Sequence, residues 1–306
     1  MRSLTRRRWL AAAVTSAAPL LAGHAPYRQW HVYRQRRLVL VVNEADGTAV
    51  RLGDAAAAAL AAGLPESRAL LATAASARDL VALLRSGQLD MAVLPADEAV
   101  AAYTGAPDFG GWPVALTAVA RLGSVRLHLL VPGDRAVRRA AGLGRGPVGV
   151  GVEAYRTAAV TERVLAASGA SAARLEPLAV GEAAHALRER RIEAFAWLDD
   201  VPSATVRRLQ AEVPAGLRLV DQGELLPRLA ERHGAVYREE VVPAGTYPGG
   251  TSDVRVAALP YLLVCRPVVA DEVAHDVAAA LGAPAPDPGP LPPHPGLAHD
   301  APAVGP

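Results

Sequence analysis

From residue 38 onward, short apolar runs alternate with stretches of helical periodicity, and this alternation constrains the fold more than any other feature of the chain. An apolar run followed by an amphipathic or alanine-rich stretch predicts a strand and then a helix. A strand–helix–strand series predicts a mostly parallel sheet with helices on both faces. The first series is strand 38–42, helix 52–64, strand 67–71, helix 75–84, strand 90–94, helix 96–103, and two further strands at 115–121 and 126–131.

A break at Pro132-Gly133-Asp134 separates this series from a second one, because proline and glycine end regular elements. The second series is strand 148–152, helix 157–168, strand 174–178, helix 182–190, strand 194–198 and helix 203–212. The chain is therefore predicted to be α/β, with two doubly wound lobes joined by a hinge. The apolar run 260–264 and the helix 271–281 are expected to return to the first lobe. Lobe 1 is then discontinuous, with residues 38–131 plus 244–300, and lobe 2 covers residues 132–243.

The N-terminus carries the basic charge of the chain. Residues 1–37 contain eight arginines and no acid, which leaves 24 arginines against 30 acids in the remainder. A mildly acidic folded part argues against nucleic-acid binding. Arginines 6–8 precede an apolar stretch from 9 to 22, which is shorter than the roughly 20 residues of a membrane span and is typical of an export signal. Residues 1–25 are thus predicted to be a signal peptide or an uncleaved N-terminal anchor, which places the protein in the periplasm, and TRRRWL at residues 5–10 resembles a twin-arginine export motif.

The segment 242–250, VPAGTYPGG, lies between two predicted strands, 237–241 and 254–259. Two prolines restrict this backbone, and three glycines leave it no helical or central-strand preference. The segment is expected to connect the lobes and to aim Tyr247 at the cleft, where pre-organisation raises affinity. The alternative is that Tyr247 is a packed plug that stiffens a crossing.

Several segments taken together resemble one family. VPAGTYPGGTSDV followed by PYLLV is similar to the carboxyl-half signature of the TAXI family, the solute receptors of one class of TRAP transporters. SGQLDMAVLPADEAVAAYTG, VGVGVEAYRTAAVTERVLAASGA, ALRERRIEAFAWLDDVPSATVRRL and LPPHPG match other parts of the family in order. The resemblance covers roughly residues 38–300.

The resemblance implies a type II periplasmic-binding-protein fold and a receptor that delivers a small carboxylate, such as glutamate or a related acid, to a TRAP membrane permease. Two loops depart from the family pattern. The loop after the first strand, residues 43–49, reads NEADGTA where the family usually has a Gly-rich loop with tyrosines, and residues 153–157 read EAYRT where the family favours Gly-Ser-Gly-Thr. The alternative function is therefore a membrane-tethered sensor or scaffold with the same fold and a degenerate ligand site.

The predicted ligand-binding residues follow the strands, because ligands of open α/β sheets lie beyond the carboxyl ends of the strands. Where the second lobe passes from strand to helix, the helix start offers free N–H groups and a positive dipole end to an anion. Arg156 at that point is expected to hold a carboxylate in bidentate geometry. The predicted residues are Asp46, Gly47, Thr48, Pro95, Asp97, Tyr155, Arg156, Thr157, Asp199 and Tyr247.

Each of these residues also has a purely structural interpretation. Thr157 and Asp97 are of the types that cap helices. Arg156 is of a type that is mostly exposed to solvent. Asp46 with the glycine after it is a common turn pair, and Asp199 is equally suited to solvating a loop.

No catalytic motif is present. A nucleophile elbow, a phosphate-binding Gly-Lys-Ser/Thr and a His-Glu-x-x-His are all missing from the sequence, and the eight histidines are scattered. The single cysteine, Cys265, lies in an apolar run and is expected to be a buried thiol. We therefore predict a binding protein without catalytic residues, metal or cofactor.

Overall fold

The computed structural model describes residues 38–144, 146–152, 155–169, 174–282 and 291–300. The predicted signal peptide or anchor, residues 1–25, lies outside these residues. No helix within the described ranges is both long enough and apolar enough to cross a membrane.

The strands of the described chain form one hydrogen-bonded sheet in the order β2-β1-β3-β10-β4-β7-β5-β6, with β9 beside β10 and β8 beside β4. They are β1 (Val39–Asn43), β2 (Leu70–Ala74), β3 (Met91–Pro95), β4 (Thr117–Pro132), β5 (Val148–Gly151), β6 (Leu175–Leu178), β7 (Ala194–Asp199), β8 (Leu217–Leu219), β9 (Arg238–Val242) and β10 (Val254–Cys265). β1 is parallel to β2 and β3, and β5 is parallel to β6 and β7, as the alternation predicted. We call β1–β3 and their helices the first half, and β5–β9 and their helices the second half.

Helices connect the strands and cover the sheet. They are α1 (Gly47–Gly63), α2 (Ala77–Ser86), α3 (Ala96–Thr104), α4 (Tyr155–Ser168), α5 (Val180–Arg188), α6 (Ala204–Glu212), α7 (Leu226–His233) and α8 (Asp271–Leu281). Their ends follow local signals: Ser76 accepts a hydrogen bond from the Asp79 N–H at the start of α2, and Gly87 ends that helix with φ of 77°.

Two strands run through both halves of the molecule. β4 pairs with β10 from Thr117 to Arg126 and then with β7 and β8, and β10 pairs with β9 before it pairs with β3. The prediction of two separate strands at 115–121 and 126–131 is wrong, because the pairing continues through Gly123 and Ser124, which lie opposite Tyr261 and Pro260. Proline cannot donate to the ladder, and the register shifts between Tyr261 and Leu262. The halves therefore meet inside β4 and β10, and the domain boundaries at 131/132 and 243/244 stay a prediction.

The segment 242–250 does not connect the halves, contrary to expectation. It begins the loop between β9 and β10, two strands that pair directly with Val242 opposite Val254. Tyr247 packs in the hydrophobic cluster of the second half with Leu187 and Phe195. A hairpin loop satisfies the turn signals of this segment as well as a lobe connection does, so the local sequence could not distinguish them.

Alanine, valine and leucine dominate the core, as the low aromatic content of 4% requires. One cluster extends along one face of both halves, and a separate cluster covers the other face of each half. The strand ends between the two halves border a cavity.

Candidate functional site

A cavity of about 400 Å³ lies between the two halves at the carboxyl ends of β1 and β7. Six of the predicted ligand-binding residues line it, and they come from both halves: Asp46, Gly47, Thr48, Arg156, Thr157 and Asp199. Its remaining lining residues include Arg51, Trp197, Asp200 and Tyr261. The lining contains three carboxylates and two guanidinium groups, so it carries more negative than positive charge.

Asp46 is the N-cap of α1, so the predicted loop after the first strand already ends in a helix. Its carboxylate accepts hydrogen bonds from the N–H groups of Thr48 and Ala49, both at 3.1 Å. It also accepts from the Tyr261 hydroxyl, at 3.0 Å to Oδ2. The helix start is therefore satisfied by the chain's own carboxylate, and Gly47 and Thr48 belong to the first turn of the helix.

Arg156, in the first turn of α4, contacts three carboxylates of the first half. Its Nη2 lies 3.0 Å from Asp46 and 3.1 Å from Glu98, and its Nη1 lies 3.5 Å from Asp97. The Arg156 side chain is only 10% exposed. Burial works to lower the pKa of Arg156, but Tyr261 and these acids outweigh burial and raise it above its ordinary value. We call Arg156 and its three acids the Arg156 cluster.

Arg163, two turns further along α4, extends the contact between the halves. It lies 3.1 Å from Asp97 and donates a short hydrogen bond to the hydroxyl of Tyr237. Burial, aided by Asp97, raises the pKa of Tyr237 to about 12, so this hydroxyl stays protonated at neutral pH. A second cavity, of about 470 Å³, lies on this side, and Arg156 lines both cavities.

The second half supplies the opposite wall of the first cavity. The Thr157 hydroxyl accepts from the N–H of Leu198 at 3.3 Å, so it fastens α4 to β7 rather than capping its own helix. Asp199 accepts from the Ser203 hydroxyl at 2.7 Å and from Trp197 Nε1 at 3.3 Å. These contacts fix the end of β7 beside the cavity.

Arg51 and Asp200 form an ion pair across the cavity at 2.5 Å. Their side chains are 52% and 41% exposed, in contrast to the buried Arg156 cluster. An exposed pair is weak and opens readily. Arg51 was not among the predicted residues, although it lies one helical turn from Gly47 and Thr48 and so shares their face of α1.

Tyr247 lies away from this cavity, with its side chain buried in the second half. His128 Nδ1 donates to the Trp197 carbonyl at 3.3 Å, so its Nε2 accepts from the Tyr247 hydroxyl at 2.8 Å. The Tyr247 oxygen in turn accepts from the Ser203 N–H at 2.7 Å. Burial lowers the pKa of His128 to about 4 and raises that of Tyr247. This arrangement, which we call the Tyr247 chain, matches the packed-plug interpretation.

The remaining predicted residues contribute less to the cavity. Pro95 ends β3, is buried, and pairs with Tyr261 of β10. Tyr155 begins α4, and only its backbone is described. Asp97 belongs to the Arg156 cluster, and Tyr261 and Glu98 were missed because only the pairing of distant elements brings them there.

No group of metal-ligating side chains occurs among the described residues. The thiol of Cys265 is buried beside Thr117, and burial raises its pKa to about 12. A neutral, enclosed thiol is a poor nucleophile.

Comparison with known proteins gives a family and a fold. The model of the NMT1-like family matches residues 46–282. No curated protein sequence matches the chain. A TctC solute binding protein from Polaromonas, solved without ligand, has a TM-score of 0.54 at 18% identity over 82% of this chain and 84% of that chain.

Two other solved structures are similar at lower scores. The L-cystine solute receptor of Neisseria gonorrhoeae, in its unliganded open conformation, has a TM-score of 0.43 at 12% identity over 84% of this chain and 90% of that chain. The periplasmic aliphatic sulphonate binding protein SsuA from Escherichia coli has a TM-score of 0.43 at 13% identity over 81% and 80%. The likeness to the Polaromonas structure confirms the predicted two-lobed α/β fold of type II periplasmic binding proteins.

Proposed function

The chain belongs to the NMT1-like family, and on that premise we propose that it is an extracytoplasmic receptor that binds a small solute between its two halves. One observation carries the proposal: the cavity of about 400 Å³ is lined by polar side chains from both halves at the carboxyl ends of strands. Such cavities are where α/β proteins hold their ligands.

For the solute we propose a small amino acid or related carboxylate, such as glutamate. Arg51 is the cavity's exposed cation, and it releases Asp200 at little cost because a solvated ion pair is worth about 0–1 kcal/mol. A carboxylate then takes the Arg51 guanidinium in bidentate geometry. Asp200, freed from Arg51, accepts the ammonium group of the same solute. Arg156, in contrast, is neutralised by three acids and contributes to holding the halves.

We further propose that the receptor is of the TAXI class and serves a TRAP membrane permease from the periplasm. Two sequence features support this proposal. The segments SGQLDMAVLPADEAV, VGVGVEAYRT and VPAGTYPGG follow one another along the chain as they do in the family, and the N-terminus is rich in arginine and has an apolar stretch. The permease partner and the export signal rest on this sequence pattern alone.

Isothermal titration calorimetry of the purified protein tests the proposal with glutamate and with 2-oxoglutarate, which lacks the amino group. We expect glutamate to bind, and Arg51→Gln to weaken binding by about tenfold or more, the loss of one charge-assisted bidentate contact. Arg208→Gln, an exposed arginine of α6 outside the cavity, is the matched control and should bind as the parent does.

A thermal-shift screen over amino acids and dicarboxylates widens the test. A solute at a hundredfold excess over its Kd stabilises the protein by about 2.7 kcal/mol. A folded protein that shows no shift with any of them, and carries no small molecule in native mass spectrometry, would overturn the receptor proposal.

The second candidate function is a membrane-tethered sensor or scaffold with a degenerate site. The Arg156 cluster favours it, because three carboxylates of the first half occupy the arginine that a carboxylate solute would use, and they join the halves without a solute. The same screen separates the candidates, since a scaffold needs an intact fold and no solute.

A further inference from the structure

A third pocket lies in the second half, where the sheet splits between β8 and β10. β4 pairs with β10 up to Arg126 and with β8 only from Leu130 onward, so the start of β10 diverges from β8. Gln222 bridges the split: its N–H donates to the Arg255 carbonyl at 2.8 Å and its Oε1 accepts from the Ala257 N–H at 3.0 Å. The pocket beside this bridge has a volume of about 310 Å³, and we call it the outer pocket.

The loop 243–253 forms one wall of the outer pocket, and the loop's own contacts hold it in place. The Thr246 hydroxyl donates to the Pro243 carbonyl at 2.7 Å, and the Ala244 N–H donates to Asp253 at 2.9 Å. Proline further restricts the loop at 243 and 248. The base is apolar, because Leu130, Leu217 and Val242 line it and are buried. The pocket therefore has a fixed shape and an apolar floor.

The polar rim of the outer pocket is basic, with four arginines against two aspartates. Arg255 is paired with Asp221 at 3.0 Å, and Arg139 lies 3.5 Å from Glu224. Arg138 and Arg218 form no ion pair with any acid in the described part of the chain. In contrast, both arginines that line the cavity between the halves, Arg51 and Arg156, form ion pairs with acids.

Arg138 and Arg218 donate to the same acceptor, the carbonyl oxygen of Arg135, at 3.0 and 2.5 Å. Arg218 also donates to the Gly133 carbonyl at 2.6 Å. Two positive charges are thus held close together, and neither has an ion-pair partner among the described residues. Burial and the neighbouring Arg138 both lower the pKa of Arg218, which is the direction expected for a cation that lacks an anion.

We propose that the outer pocket binds a small organic anion, with its carboxylate on Arg138 and Arg218 and its apolar part on Leu130, Leu217 and Val242. Each guanidinium has five N–H donors and uses only one or two of them on backbone carbonyls, so donors remain for the anion. The anion supplies the counter-charge that the described residues do not, and the apolar floor adds burial of hydrocarbon. This site is distinct from the cavity between the halves and does not depend on the proposed solute receptor.

Isothermal titration calorimetry with 4-phenylbutyrate and with its uncharged amide tests this site. We expect the carboxylate to bind the parent protein, the amide to bind about tenfold more weakly or not at all, and Arg138→Gln to weaken carboxylate binding by about tenfold. Arg138 is exposed, so this variant keeps the fold; Arg218→Lys, which keeps a charge, is the second variant. Arg51→Gln, in the other cavity, should leave phenylbutyrate binding unchanged, so failure here and failure of the receptor proposal give different results.

Two outcomes overturn the proposal: no binding of the carboxylate to the parent protein at millimolar concentration, or equal binding by the parent and Arg138→Gln. Arg208→Gln is the control for a general change in protein charge. Carboxylate binding should also weaken as salt rises, since the rim is solvent-accessible.

Discussion

Two buried polar networks, the Arg156 cluster and the Tyr247 chain, differ in charge and in the parts of the molecule that they join. The Arg156 cluster is ionic and brings an arginine of α4 against three acids of the first half. The Tyr247 chain is neutral and lies within the second half, from the Trp197 carbonyl through His128 to the Ser203 N–H. Ion pairs join the two halves to each other, whereas neutral hydrogen bonds stabilise the packing within one half.

Burial determines whether a polar side chain binds a ligand or is satisfied by the chain itself. Arg156 and Tyr247 are both of types that bind ligands when exposed, yet the chain itself satisfies each of them. A buried charge needs partners of opposite sign, whereas a buried hydroxyl needs only a donor and an acceptor. The four changes below test this difference, beginning with the largest expected effect.

Arg156→Met should lower the free energy of unfolding by about 3–5 kcal/mol, because it leaves the acids of the cluster buried without their cation. Urea unfolding measures the change. Arg208→Met, which removes an exposed pair with Glu212, is the matched control and should cost less than about 1 kcal/mol. Equal stability of the two variants would show that the Arg156 cluster is solvated rather than buried.

Lowering the pH should destabilise the protein through His128. Burial lowers the pKa of His128 to about 4, below the value of about 6.5 expected in the unfolded chain, so the unfolded state binds more protons between these values. His128 therefore adds about 3 kcal/mol to the free energy of unfolding above about pH 6.5. This contribution is lost as the pH falls towards 4. Protonation also removes the acceptor of the Tyr247 hydroxyl.

Carboxylates titrate in the same range, so the measurement compares the parent with His128→Gln. Unfolding free energies at pH 7 and pH 4.5 should differ less in the variant than in the parent. The same difference in both proteins would exclude His128 as the titrating group.

Tyr247→Phe should lower the unfolding free energy by about 1–3 kcal/mol, since it leaves the Ser203 N–H and His128 Nε2 buried without this partner. Thermal and urea unfolding measure the loss. Tyr103→Phe, at a partly buried tyrosine whose hydroxyl forms no hydrogen bond among the described residues, should change stability little. If both variants behave alike, the ring and not the hydroxyl stabilises the loop.

Arg51→Gln should have the smallest effect on stability, less than about 1 kcal/mol, because its pair with Asp200 is half exposed. This variant separates stability from binding: the proposed solute should lose affinity while the unfolding curve barely moves. A large loss of stability would mean that Arg51 joins the halves as Arg156 does.

Much of the fold could be predicted because the signals are local. The apolar runs at β1, β3, β5 and β7 are buried strands within a few residues of the predicted bounds. The start of α1 was placed too late, since Asp46 caps this helix at Gly47 rather than near Leu52. β4 was divided in two because Leu122-Gly123-Ser124 has weak strand preference, and only the pairing with β10 keeps it extended.

The candidate site could be predicted only in part. Six predicted residues line the cavity. They were found because ligands of α/β sheets bind beyond the carboxyl ends of the strands, and the alternation of strands and helices along the chain predicts where those ends lie. The partners of these residues do not follow from any local pattern. Arg156 and Asp46 are 110 positions apart, and Tyr247 and His128 are 119 apart.

By itself, the sequence determined the alternation of strands and helices, the two-part architecture and the end of the sheet at which polar side chains gather. These features depend on interactions between residues close along the chain, whose period and turn chemistry can be read directly. Only the tertiary structure decided which arginines are neutralised and which are not, and that Tyr247 braces a loop instead of facing the cavity. The reason is that burial and counter-charge arise when distant segments pack, so the same side chain becomes a structural contact or an open donor according to its neighbours.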